Sequence, residues 1–208
     1  MFVTTFILLA ITRLEVARLV RHHHAQKVDF FRAHPIQSGD IVMIGDSLTD
    51  GARWDEIFPG LPIKNRGINA DTVEGVLDRL DEIIAGKPAK IFILIGTNDL
   101  PWYDYRGDHF ILNTYEKILS RIKVQLPGTK VYVQSILPRK RGFAKRIRAI
   151  NAALALLAEN AGCVYIDLFS AFADANGSLR AEITNDHLHL LGAGYGIWRE
   201  MIEKQVRG

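Results

Sequence analysis

The sequence predicts a three-layer α/β fold, a parallel sheet with helices on both faces, and two observations carry that prediction. First, apolar runs bounded by turn residues recur along the chain, at 40–44, 62–65, 90–95, 130–135 and 163–167. The third contains Ile91-Phe92-Ile93-Leu94-Ile95, apolar at every position. That is the habit of a strand buried on both faces, as in a parallel sheet. Second, helical periodicity fills the intervals between these runs. Strands that alternate with helices form layers joined by right-handed crossovers.

The elements follow in order. Residues 2–11 are mostly apolar, and then Arg13, Glu15, Arg18 and Arg21 alternate with Leu14, Val16, Leu19 and Val20. A secretory leader needs a basic start and a small-residue cleavage site, and a membrane span needs about 20 apolar residues. Neither pattern is met, so the segment reads as an additional N-terminal amphipathic helix that packs against protein, with a membrane surface as the less favoured support. From Ile36 the strand runs begin. Val73, Val76, Leu77, Leu80, Ile83 and Ile84 repeat at three and four, and Gly86-Lys87-Pro88 breaks that helix before the third run. Ile111, Tyr115, Ile118, Leu119 and Ile122 form the next helix, closed by Pro127-Gly128. Ile147, Ile150, Leu154, Leu157 and Ala158 form another, and Tyr195, Trp198, Met201 and Ile202 the last. The chain thus divides into a helical extension, 1–35, and an α/β domain, 36–208.

The 208 residues fit one domain with a full core. A content of 48% apolar and 24% charged residues is that of a soluble globular protein. The net charge of +3 and the lack of a long basic block exclude a nucleic-acid partner. The densest basic run, Arg139-Lys140-Arg141 with Lys145, Arg146 and Arg148, reads as a solvated loop and helix face. The single cysteine, Cys163, cannot form an intrachain disulfide, and its apolar run makes it a structural thiol. His22-His23-His24 point in three directions on a helix, so no metal site is expected there.

The chemistry lies at the ends of the strand runs. Ser47 stands in Gly45-Asp46-Ser47-Leu48, directly behind the first run; Gly67 follows the second and Asn98 the third. Asp186 and His189 precede the last helix. In open α/β sheets the site forms beyond the carboxyl ends of the strands, so these segments can meet at one edge. Serine needs a base, and His189 can take and return its proton while Asp186 orients the imidazole. The developing oxyanion needs preorganised donors: the Ser47 N–H at a helix start, the Gly67 N–H and the Asn98 amide. The predicted reaction is ester hydrolysis through an acyl-serine. Asp46, Asp50 and Asp99 read as carboxylates that hold loops, and Arg66 as the partner of a nearby carboxylate.

These four blocks, in order from Gly45 to His189, resemble the SGNH hydrolase superfamily, also called GDSL esterases and lipases. The resemblance covers nearly all of the chain after residue 36. It implies Ser47, Asp186 and His189 as the triad, Ser47, Gly67 and Asn98 as the oxyanion hole, a flavodoxin-like sheet of five parallel strands, and neither metal nor organic cofactor. One departure stands out: the position after Asp186 is commonly glycine in relatives, and here it is His187, read as a solvated or rim residue.

The similarity is to compact members, like platelet-activating-factor acetylhydrolase catalytic subunits and bacterial carbohydrate acetyl esterases. It implies short acyl groups; a lysophospholipase or thioesterase at a lipid surface and an acyl transferase are the alternatives. Trp54, Trp102, Tyr103 and Phe143 are the expected pocket walls. The apolar residues of the first helix imply a homo-oligomer joined through that helix, and the absence of disulfides favours a cytoplasmic over a periplasmic or secreted location.

Overall fold

The computed structural model describes residues 2–100 and 107–208, with side chains from residue 14 onward outside that interval. The order is α1 (Phe2–Ala33), β1 (Ile41–Gly45), α2 (Ser47–Asp50), α3 (Trp54–Ile57), β2 (Ile63–Gly67), α4 (Val73–Asp78), α5 (Leu80–Gly86), β3 (Lys90–Leu94), α6 (Asp108–Gln125), β4 (Lys130–Gln134), α7 (Ala144–Asn160), β5 (Val164–Ile166), α8 (Phe169–Phe172) and α9 (Gly192–Arg207). All strand pairings are parallel, and the sheet order is β2-β1-β3-β4-β5.

Alternation along the central strands builds two cores at once. Val42 and Ile44 of β1, with Ile91 and Ile93 of β3, face a cluster completed by α4, α5, α6 and α7. Ile41 and Met43, with Phe92 and Leu94, face the opposite cluster, which includes Trp54, Phe172, Trp198 and Ile202. A run apolar at every position therefore supplies both layers, because successive side chains point to opposite faces.

The apolar pattern read as one helix over 73–84 is two helices, broken at Arg79, where the backbone departs from helical values (φ −104°, ψ 13°). The Arg79 side chain turns inward. Its Nε donates to Asp71 Oδ2 at 2.8 Å and its Nη2 to the Arg66 and Gly45 carbonyls at 2.8 and 3.3 Å. A buried guanidinium needs such partners, and the break brings it to them.

Helix α1 is joined to the domain through its C-terminal half. Phe31 is buried beneath the Arg66 guanidinium, 4.5 Å from its ring centroid. Lys27 pairs with Asp50, and His24 Nε2 lies 3.6 Å from Asp71 Oδ1. Leu14 and Leu19, further towards the N-terminus, are exposed at 68% and 66%. Among the described residues no helix is long and apolar enough to cross a membrane.

Candidate active site

After β1 the chain moves to β2 on one side, then crosses to β3 on the other. A crevice opens where the two directions part, and ligands settle there in doubly wound sheets. Ser47 follows β1, Asn98 follows β3, and both line an open cleft of about 530 Å3 with Val20, Asn69, Ala70, Arg139, Lys140, Asp186, His187, Leu188 and His189.

Ser47 is the first residue of α2, a single turn started by Asp46, whose Oδ1 accepts from the Leu48 N–H at 2.9 Å. The Ser47 Oγ lies 3.0 Å from His189 Nε2, and His189 Nδ1 lies 2.6 Å from Asp186 Oδ2. A compact turn fixes the carboxylate: Asp186 Oδ1 accepts from the N–H groups of Leu188 and His189 at 2.9 and 2.7 Å. Partial burial raises the Asp186 pKa, but the hydrogen bonds from His189 and Leu188 outweigh it and hold the carboxyl down to about 2. Asp186 is therefore ionised near neutrality. It claims the Nδ1 proton of His189, which leaves Nε2 as the acceptor for the Ser47 hydroxyl.

The Asn98 amide is buried and donates to the Asp71 carbonyl at 3.0 Å, which fixes its plane and leaves its second hydrogen for the cleft. Gly67 is not part of this arrangement. Its N–H donates to Asn65 Oδ1 at 2.9 Å, and it is absent from the cleft lining. A Cβ on Gly67 would sit 2.2 Å from the Asp50 nitrogen, so glycine is needed there to let α2 pack over β2. The residues that reach the cleft from this side are Asn69 and Ala70, the latter held in the left-handed region at φ 61°. An alanine in that region carries about 1–2 kcal/mol of strain, which turns the backbone here in a way relaxed geometry would not. No sequence signal marks Ala70, because alanine gives no hint of left-handed backbone.

The expected aromatic walls fare differently. Trp54 is 3% exposed and belongs to the core, edge-on to Trp198 at 5.2 Å, with its indole N–H donating to the Thr49 carbonyl at 3.1 Å. It supports α2 from below and does not line the cleft. Phe143 is covered by the Arg139 guanidinium, 4.7 Å from its ring centroid, so the arginine and not the ring faces the cleft. Trp102 and Tyr103 lie outside the described residues. Arg139 itself is buried and donates to the Thr97 carbonyl at 3.0 Å, so the first member of the basic run is a cleft residue and not a solvated one.

The carboxylates around the site have structural partners. Asp99 Oδ2 accepts from the Val73 N–H at 3.1 Å, and Asp50 holds Lys27 of α1. Arg66 Nε donates to Glu82 at 3.0 Å. Asp46 is fully buried, and burial, reinforced by the charges of Asp71 and Asp99, lifts its pKa to about 7 against the opposing Leu48 hydrogen bond and Arg139. Among the described residues no group of three or more His, Cys, Asp or Glu side chains is placed to hold a metal ion.

A family model described as GDSL-like lipase/acylhydrolase matches residues 43–197, a span that contains all three members of the Ser47, His189, Asp186 chain. The platelet-activating factor acetylhydrolase IB subunit alpha2 of Rattus norvegicus is 28% identical over 166 residues, which cover 75% of this chain and 71% of that one. A solved structure from Streptococcus pneumonia, named after platelet activating factor, is similar at a TM-score of 0.84 and 27% identity, covering 95% of this chain and 99% of the other. The acetylxylan esterase Axe2 of Geobacillus stearothermophilus shares the fold at a TM-score of 0.67 and 21% identity, over 82% of this chain and 95% of its own.

Proposed function

The chain belongs to the GDSL-like lipase/acylhydrolase family, a carboxylic ester hydrolase, and on that premise we propose that it cleaves short-chain, acetyl-type esters through an acyl-serine intermediate, with carbohydrate esters as the substrate class. The observation that carries the proposal is the unbroken relay from Ser47 Oγ through His189 to Asp186, at 3.0 and 2.6 Å. His189 Nε2 removes the Ser47 proton as Oγ attacks the ester carbonyl. The oxyanion forms facing the Ser47 N–H, the Ala70 backbone and the Asn98 amide, which replace the hydration that the charge would otherwise need. The imidazolium, stabilised by ionised Asp186, returns its proton to the departing alcohol, and water then repeats the attack on the acyl-serine.

The short-acyl preference rests on the cleft. Among the described residues its apolar lining comes from Val20, Ala70 and Leu188, too few side chains to follow a long chain. The similarity to acetylhydrolases and acetylxylan esterases points the same way. Nitrophenyl esters from acetyl to palmitoyl test it: kcat/KM is expected to fall with chain length, and a maximum at the long end sinks the short-chain reading. A second reading, hydrolysis of lysophospholipids at a lipid surface, draws on the exposed Leu14 and Leu19 of α1. Turnover that rises steeply when the substrate is presented in vesicles would favour it.

A further inference from the structure

The position after Asp186 holds an imidazole that the proposed reaction does not use. His187 has φ 60°, a conformation that glycine adopts freely and that costs a side-chain-bearing residue about 1–2 kcal/mol. Its N–H is tied to Thr184 Oγ1 at 3.0 Å, which keeps the turn in that geometry. The ring is exposed, lines the cleft, and makes no hydrogen bond or ion pair among the described residues. Backbone strain maintained at a cleft is a reason to look for a role.

Lys140 stands at the same cleft. It is exposed, and its ammonium group has no hydrogen-bonding or ionic partner among the described residues. Beside it the Arg139 guanidinium is fixed on Phe143 and the Thr97 carbonyl, adding a positive charge that cannot swing away. Three carboxylates of the neighbourhood are engaged by other groups. Asp186 is committed to His189, Asp50 to Lys27, and Asp71 to Arg79, with His24 also close to it. Among the described residues, Asp186 is the one acidic side chain that lines the cleft.

We propose that Lys140 and His187 form an anion subsite beside Ser47, so that the preferred ester carries a carboxylate or phosphate group in the part of the molecule that spans the cleft. The inference rests on the esterase reading above and narrows its substrate class. Lys140 supplies an ammonium group on a flexible stem. His187 offers a ring N–H as a hydrogen-bond donor. Two exposed contacts of this kind together give about a threefold to tenfold preference, and salt screens it.

The test compares matched neutral and anionic acetates with the full chain. Glucose acetate is paired with glucuronate acetate for the carboxylate arm, and monoacetin with acetylglycerol phosphate for the phosphate arm. The subsite predicts a higher kcat/KM for the anionic member of at least one pair, expressed mainly in KM and diminished by 0.5 M salt. The arm with the larger ratio identifies the anion. Lys140→Glu is expected to invert the preference, and His187→Gly to lower it. Because glycine relieves the left-handed strain, His187→Gly is also expected to melt no lower than the parent protein, so misfolding cannot account for a lost preference. Equal kcat/KM within both pairs, or a preference that survives Lys140→Glu, overturns the subsite while leaving the esterase intact. Failure to hydrolyse any acetate, together with no labelling of Ser47 by a fluorophosphonate, overturns the esterase reading and the subsite with it.

Discussion

Replacing Asp46 by Asn separates the structural from the chemical role of the carboxylate that precedes the nucleophile in the chain. Asp46 is fully buried, its Oδ1 caps α2, and its Oδ2 has no hydrogen-bond partner among the described residues. Its pKa in the folded protein is raised to about 7 from an ordinary 3.8, chiefly by burial. Between those values the folded state holds a proton that the unfolded state has released. Stability from this group is therefore complete below the unfolded value and is lost as the pH rises through the folded one. At about 1.4 kcal/mol per pKa unit, the whole loss is about 4 kcal/mol, of which about 3 kcal/mol falls between pH 5 and pH 8. Asn keeps an oxygen for the Leu48 N–H and removes the titration. Urea denaturation is expected to show Asp46→Asn gaining on the parent protein by about 3 kcal/mol between pH 5 and pH 8. Esterase activity should stay within a few-fold, because Asp46 does not line the cleft. Parallel stability profiles would refute the burial argument. A folded Asp46→Asn variant with turnover reduced a hundredfold would refute the purely structural role and bring Asp46 into the acid–base chemistry.

Other substitutions address the remaining parts. Asn98→Ala removes one oxyanion donor and should lower kcat by about 100- to 1000-fold with little change in KM; a change in KM alone would mean that the amide binds substrate without stabilising the transition state. Ala70→Gly relieves left-handed strain and should raise stability by up to about 1 kcal/mol, offset in part by the entropy glycine gains when unfolded. Retention of activity in that variant checks that backbone, and not the methyl group, serves the cleft. Deletion of residues 1–19 leaves Val20, His24 and Lys27 in place, so the thermal midpoint should hold. We propose that this segment carries self-association; analytical ultracentrifugation should then show a smaller mass, and an unchanged mass counts against it.

What the sequence disclosed and what it concealed follow from the range of the forces involved. Strands β1 and β3 were legible because a run such as Ile91–Ile95 must be buried on both faces, and burial leaves a compositional trace. The pairing of Ser47 with His189 was legible because chemistry restricts which residue types can act, and the turn Asp186–His189 is local enough to read from spacing. Gly67 misled because a glycine after a strand has two explanations, an open N–H or a close backbone approach. The approach of Asp50 from another element decides between them, and no local pattern carries it. Ala70 was hidden for the converse reason, since its left-handed backbone is imposed by its surroundings and not by its own side chain. Trp54 failed as a wall residue because aromatic rings suit clefts and cores equally; the neighbour that settles the matter, Trp198, lies in the last helix. Arg139 shows the same limit for charge. A basic run looks solvated until the Thr97 carbonyl, from a distant position, and the nearby Phe143 ring enclose its first member. The contacts among Ser47, His189 and Asp186 were therefore legible through residue type, whereas the shape and charge of the cleft depended on contacts between segments far apart in the chain. Substrate preference belongs to that second class, so it has to be argued from residues such as Lys140, which no motif singles out, and His187, which departs from one.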